Sequence, residues 1–245
     1  MEMTAPVFLQ RGKPRFVVGV DLGQSSDPTA ICVVEHVRGV MDSGSELERH
    51  CGLSTKMQTT VEFYDVRHME RLPLGMSYPA QVQHVADLLA RPPLNGAELV
   101  IDETGVGRAV ADIFNDAGMT PERISITAGN ESSWVGAHRW HVAKTILIST
   151  VDAMLHTGKL RFAAALSEAD AIRDELLDFR RKLSDAGRAS YAARTGQHDD
   201  LVLAVAIACW WAARPPAPQA SFGVYGTQFD PPQKSPFVSH NAKQE

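Results

Sequence analysis

Three acidic positions in this chain stand where an apolar run ends or begins. Phe16-Val17-Val18-Gly19-Val20 leads into Asp21-Leu22-Gly23, Leu99-Val100-Ile101 leads into Asp102-Glu103, and His198-Asp199-Asp200 opens the run from Leu201 to Ala213. A lone carboxylate at the mouth of an apolar helix has a plain explanation, since Asp is a favoured N-cap and negative charge suits the positive end of the helix dipole. A converging set behaves differently. Buried carboxylates that lie together repel one another, so they take up protons or are neutralised by cations. Hard oxygen donors suit Mg²⁺ or Mn²⁺. Two such ions, ~3.5–4 Å apart, are a standard device for phosphodiester hydrolysis, one activating water and the other stabilising the leaving oxygen.

The elements that must position these acids can be read from periodicity. Residues 16–23 form a buried β-branched strand, Gln24 to Pro28 is turn chemistry, and Thr29 to Val37 is the second strand of a hairpin. Arg38 to Gln58 lacks periodicity and reads as a surface loop, and Thr60 to Met69 alternates as a third strand, a candidate edge. Apolar spacing predicts a helix over Tyr78–Leu89, stopped by Arg91-Pro92-Pro93. A strand at Glu98–Asp102, a helix from about Arg108 to Ala117 closed by Gly118, and a strand at Arg123–Thr127 follow. His141–His156 and Ser167–Phe179 read as helices, the second capped by Ser167 with Ile172, Leu176, Leu177 and Phe179 inward. Arg180 to Arg194 reads as a hairpin turning at Asp185-Ala186-Gly187, ahead of the final apolar helix. Strands alternating with helices after an opening hairpin predict a mixed α/β sheet flanked by helices, in whose open edge functional groups gather at the carboxyl ends of strands. Asp21 and Asp102 are two such ends.

Composition narrows the context. A chain of 245 residues with 44% apolar and 22% charged residues fits one sizeable soluble domain. The expected division is a flexible arm over 1–15, the domain over 16–213 and a Pro-rich disordered tail over 214–245. No apolar run is long enough to span a bilayer, which needs ~20 residues, and nothing at the start resembles a signal peptide. The three cysteines, Cys32, Cys51 and Cys209, follow no metal spacing, so a reducing, cytoplasmic compartment is expected. A net charge of −5 does not advertise a nucleic-acid binder; a local basic surface or bound cations must reverse it if DNA is the partner.

Basic residues are unevenly spread. Arg180, Arg181, Lys182, Arg188 and Arg194 crowd the stretch before the acidic helix, and Lys144 lies near the start of its own helix. The plain reading is a solvated charged face; beside a metal cluster the same residues suit phosphate contacts that position a duplex without reading its sequence. Trp134 and Trp140 read as packing residues. His198 and Glu103 adjoin the acids and are accessory candidates, with a structural role equally open for His198. Other chemistries fit less well. Asp21-Leu22-Gly23 with Thr29, and Asp102-x-x-Gly105-x-Gly107, resemble the phosphate loops of actin-like ATPases, but those folds use a longer, duplicated chain. Gly105-x-Gly107 lacks the third glycine of a dinucleotide fingerprint, and no G-x-x-x-x-G-K-[S/T] occurs.

Assembled in order, VVGVDLG, LVIDETGVGRAV, HVAKTILISTVDAMLHTGKLRF, ELLDFRRKL and GQHDDLVLAVAIACW resemble the C-terminal nuclease domain of phage terminase large subunits, over most of residues 16–212. The resemblance implies an RNase H-like fold and metal-dependent endonucleolytic cleavage of double-stranded, concatemeric DNA during genome packaging. It implies two Mg²⁺ or Mn²⁺ ions held by Asp21, Asp102 and Asp199/Asp200, with Asp200 favoured because it directly precedes the apolar run. The implied partners are DNA, an ATPase motor subunit, the small terminase and the portal, with no membrane. A complete large subunit carries an N-terminal P-loop ATPase, which this chain lacks, so translocation is not its expected activity. A Holliday-junction resolvase-like nuclease and a non-catalytic docking module of a packaging complex are the alternatives.

Overall fold

The structure is a computed structural model that describes residues 8, 10–23, 27–42, 51, 58–105, 107–185 and 199–215. The strands are β1 (Gln10–Arg11), β2 (Arg15–Asp21), β3 (Ala30–Asp42), β4 (Gln58–Arg71), β5 (Glu98–Asp102), β6 (Glu122–Thr127), β7 (Ser132–Gly136), β8 (Arg139–Ala143) and β9 (Leu160–Phe162). The helices are α1 (Tyr78–Leu89), α2 (Gly107–Asp116), α3 (Lys144–His156), α4 (Ala169–Asp185) and α5 (Asp200–Ala212). They build one mixed sheet in the order β7-β8-β6-β5-β2-β3-β4-β9, with β1 pairing the far end of β3. β2, β5, β6 and β8 run parallel, while β3 is antiparallel to both β2 and β4. This is the expected mixed α/β sheet flanked by helices.

Alternation within the strands divides the core between the two faces of the sheet. Val18, Val20, Ile31, Val33 and Ile101 pack under α1 and α2, joined by Val82, Val85, Val110 and Phe114. Val17, Cys32, Val34, Val100 and Ile124 face the other way, onto α3, α4 and α5. α5 is apolar all round because it is covered all round: twelve of its thirteen residues are buried, between the sheet and its neighbouring helices. The contact is close. A Cβ on Gly19 would collide with the Ala204 carbonyl oxygen and stand 2.8 Å from the Ala208 Cβ, so glycine in β2 and alanines in α5 let helix and sheet meet at backbone distance.

Several local readings give way to tertiary pairing. The hairpin strands run on to Asp42 and resume at Gln58, so part of the expected loop is ladder, with Gly39 opposite Val61 and Val40 opposite Thr60. β4 is no edge, because Tyr64, Asp65 and Val66 pair with β9. Arg139–Ala143 is strand rather than the start of a helix. It forms a hairpin with β7 through Ala137 and His138, which take positive φ values of 45° and 58° as a primed hairpin turn demands. Trp140 packs as expected, but Trp134, on the outermost strand, is 65% exposed. The Ser167 hydroxyl donates to the Met69 carbonyl instead of capping a helix, and Leu177 is exposed rather than inward. Arg180, Arg181 and Lys182 continue α4 to Asp185 instead of opening a hairpin, since the helical turn of the preceding residues carries through them. Arg188, Arg194 and His198, the remainder of that hairpin, and the expected tail from 216 onward lie outside the described residues. Among the described residues no helix is long and apolar enough to cross a membrane.

Candidate active site

Strand register places the first two acids side by side. In the parallel β2–β5 pair Asp21 is the partner of Asp102, at the carboxyl end of both strands, and adjacent strands lie about 4.8 Å apart. The row continues across the sheet. Ala30 partners Asp21 on one side and Arg71 on the other, while Ile124 partners Asp102. Every member shares the parity of the residues packed on α5, so this row lies beneath the start of that helix.

The α5 terminus brings the third position. Asp200 is 5% exposed and is the first residue of the helix, with Asp199 as its flanking residue. Asp199 makes no side-chain cap; its carboxylate takes an ion pair from Lys144 Nζ at 2.6 Å. The capping duty falls instead on Glu175 of α4, whose Oε2 accepts the Val202 backbone N–H at 3.0 Å. Arg71 joins these groups. Its Nε donates to Asp200 Oδ2 at 2.7 Å and its Nη2 lies 3.3 Å from Oδ1, while the same Nη2 is hydrogen-bonded to Glu175 and Nη1 stands 3.5 Å from Glu168.

The electrostatics follow from this crowding. Burial pushes the Asp21 carboxyl well above the usual range, and Asp102, Asp199 and Asp200 push it further. Burial raises Asp102 to about 6, although the Thr104 backbone N–H donates to it at 2.8 Å. Glu175 rises to about 8, again chiefly by burial, with the nearby Asp200 adding to it. Glu103 behaves otherwise. It turns toward β6 and β8, where Ser125 Oγ and Arg139 donate to its Oε1 at 2.7–2.9 Å; burial opposes its charge, but these donors outweigh it and hold its pKa below the ordinary value.

The structure therefore brings Asp21, Asp102, Asp199, Asp200 and Lys144 into one locus and turns the Glu103 side chain away from it. Lys144 was expected to face phosphate and is found on Asp199. Arg71 and Glu175 belong to the same locus and escaped the sequence reading: one ends an ordinary alternating strand, the other is one acid among many on a charged helix. The Asp-Leu-Gly turn is closed from within, because the Gly23 N–H donates to the Thr29 hydroxyl at 3.0 Å and that hydroxyl donates to Gln81 at 2.8 Å. The Thr29 hydroxyl is thus a buried clasp, not an open phosphate contact.

Among the described residues no three His, Cys, Asp or Glu side chains stand as a ready metal cage. The donor set nonetheless has the chemistry of a hard-cation site. It is carboxylate oxygen alone, and burial, with like charges alongside, disfavours the anions of Asp21 and Asp102 beyond what Lys144 offsets.

No protein-family model matches this chain, and no curated protein matches it in sequence. Among solved structures it is similar to the large terminase nuclease from thermophilic phage G20c, with 18% identity over 84% of this chain and 89% of that one and a TM-score of 0.47. It is also similar to the zinc-bound form of that nuclease (18% identity, 84% and 88% covered, TM-score 0.44). The human cytomegalovirus terminase nuclease domain, soaked in Mn, is similar at 12% identity over 82% and 83% of the two chains, with a TM-score of 0.41.

Proposed function

We propose that this chain is a metal-dependent endodeoxyribonuclease of the terminase type, cutting double-stranded, concatemeric DNA during viral genome packaging. The observation that carries the reading is the register of β2 and β5, which sets Asp21 and Asp102 as neighbours beneath the two acids that open α5. Four carboxylates in one locus, Asp102 and Asp200 buried and Asp21 and Asp199 half-buried, are costly unless cations balance them. Asp21, Asp102 and Asp200 are the residues that would hold two Mg²⁺ or Mn²⁺ ions, with Asp199 beside them. Divalent ions bound there would supply the positive charge that acidifies a water and stabilises a leaving phosphodiester oxygen.

The chain's own groups contribute placement and charge. β2 and β5 fix the Asp21 and Asp102 oxygens on a rigid sheet edge, and the close packing of α5 on Gly19 fixes Asp200 against them. The amino-terminal ends of α3 and α5 give the locus a positive partial charge suited to phosphate. Lys144, partly exposed at the start of α3 and paired with Asp199, is proposed to meet a phosphate of the strand being cut. Arg180, Arg181 and Lys182 on α4, with Arg188 and Arg194, are proposed to hold the flanking duplex through its phosphates.

The direct test is cleavage of supercoiled and linear duplex DNA in Mn²⁺ or Mg²⁺ by the wild-type chain, Asp21→Asn and Asp102→Asn, with a four-way junction as a parallel substrate. Wild-type cleavage of duplex that needs the metal and disappears in both variants is the expected result. Undiminished cleavage by either variant, or cutting confined to junctions, would overturn the reading.

A further inference from the structure

Arg71 occupies a place in the site that metal chemistry alone leaves unexplained. It ends β4 in the same cross-sheet row as Asp21 and Asp102, separated from Asp21 only by Ala30. Its guanidinium lies against both oxygens of Asp200, at 2.7 and 3.3 Å, the fork geometry in which arginine grips a carboxylate most strongly. Glu175 and Glu168 provide a second anchor on the same guanidinium, through Nη2 and Nη1. Asp200 is nearly fully buried and Glu175 is 8% exposed, so neither carboxylate relies on bulk water for its charge. The arginine therefore joins two acids on different helices, α4 and α5, from the row that carries Asp21 and Asp102.

Resting on the nuclease reading, we infer that Arg71 is the resident cation of the site and competes with divalent metal for Asp200. Without metal, Arg71 grips Asp200 and keeps the locus from carrying uncompensated negative charge. With a divalent ion held by Asp21 and Asp102, the Asp200 carboxylate would turn from Arg71 toward it, and the guanidinium would remain on Glu175 and Glu168. Two anchors make this exchange feasible, since the arginine keeps acidic partners in both states. The same arrangement makes Glu175 a working member of the site: it holds Arg71 back while capping the first turn of α5 through Val202. Arg71 is thus a positioning residue that acts through Asp200 and touches no substrate.

The test is Mn²⁺ binding by calorimetry, with thermal unfolding in the presence and absence of Mn²⁺, on the wild-type chain, Arg71→Gln and Arg71→Lys. Removing a positive charge in contact with a ligand oxygen strengthens binding of a second cation, by about tenfold for a partly buried pair. Arg71→Gln should melt lower without Mn²⁺, bind Mn²⁺ about tenfold more tightly, and gain more than the wild type in melting temperature when Mn²⁺ is added. Arg71→Lys keeps the charge and loses the fork, so its affinity should fall between the other two. Lysine binding Mn²⁺ as the wild type does would reduce Arg71 to a distant field and overturn the competition. A glutamine variant with unchanged or weaker Mn²⁺ affinity would overturn it as well, leaving Arg71 as a clasp between α4 and α5. Should Arg71→Gln fail to fold, the lysine arm decides alone. Either failure beside a wild-type chain that binds Mn²⁺ and cuts DNA leaves the nuclease reading standing; a wild-type chain that does neither removes both.

Discussion

Strands β2 and β5 carry a charged pair at each end, and the two pairs are opposites. At the amino ends Arg15 grips Glu98 with both prongs, at 2.5 and 2.7 Å, and Trp211 Nε1 donates to the same carboxylate at 2.7 Å. Arg15 also donates to the carbonyls of Ala212 and Arg214, placing a cation on the negative end of α5. Arg214 stacks over Trp140 and Trp210 at about 4 Å, which closes that end with aromatic area. At the carboxyl ends the same two strands present Asp21 and Asp102, like charges at the positive end of the same helix. Burial opposes ionisation at both ends, yet Glu98 falls below its ordinary value while Asp102 rises to about 6, because only Glu98 has a cation in its grip. One end is complete as folded. The other crowds like charges, and that difference is why we propose it as the working end.

Substitutions that interchange the two behaviours test this contrast. The largest effect should come from Asp21→Asn, with metal-dependent cleavage falling by at least ~10²–10³-fold, while the melting temperature without metal stays level or rises because a repulsive buried charge is gone. A clear drop in melting temperature would mean that Asp21 is structural, like Glu98. Gly19→Ala, midway along β2, should cost on the order of 1–3 kcal/mol in chemical denaturation, since the added methyl must push α5 off the sheet. An unchanged midpoint would show that the close contact is not needed. Glu98→Gln should cost about 1.5–3 kcal/mol through loss of charged hydrogen bonds and leave Mn²⁺ affinity unaltered; a change in affinity would couple the ends that we treat as separate.

The smallest effect is in pH dependence. Asp102 is raised from an ordinary 3.8 to about 6, so between those values the folded chain binds more protons than the unfolded one. Stability therefore declines as pH rises through that window, and the penalty is complete above it. Glu98 is lowered from 4.5, so its contribution is present above that value and is lost as pH falls through the folded pKa. In melting curves without metal, Asp102→Asn should gain on the wild type by a few degrees between pH 4 and 7. Glu98→Gln should lose ground as pH rises toward 4.5 and keep that deficit above it. Parallel curves for the two variants would contradict the opposition between the ends.

Much of this was legible in the residues. The β-branched runs ending at Asp21 and Asp102 and the uniform apolarity of α5 announce buried elements with acids at their ends, because burial and backbone geometry impose local periods that a sequence must carry. The same logic missed the β7–β8 hairpin and the strand nature of Arg139–Ala143, where ladder partners outweigh local pattern, and it read Arg180–Lys182 as strand where the α4 helix continues. Trp134 gave no sign of its exposure, since an outermost strand and an inner one read alike.

The sequence by itself determined which residues are acids at element ends and how α5 must be buried. Tertiary structure alone decided that Asp21 and Asp102 are register partners, that Asp199 pairs with Lys144 instead of capping its helix, and that Arg71 and Glu175 join the site from elements without a motif. The physical reason is one of range. Periodicity and capping act over a few residues and leave a trace in each segment. Strand register, and the balance of charge at a sheet edge, depend on groups as far apart in the chain as Arg71 and Asp200, so they exist only once the chain has folded.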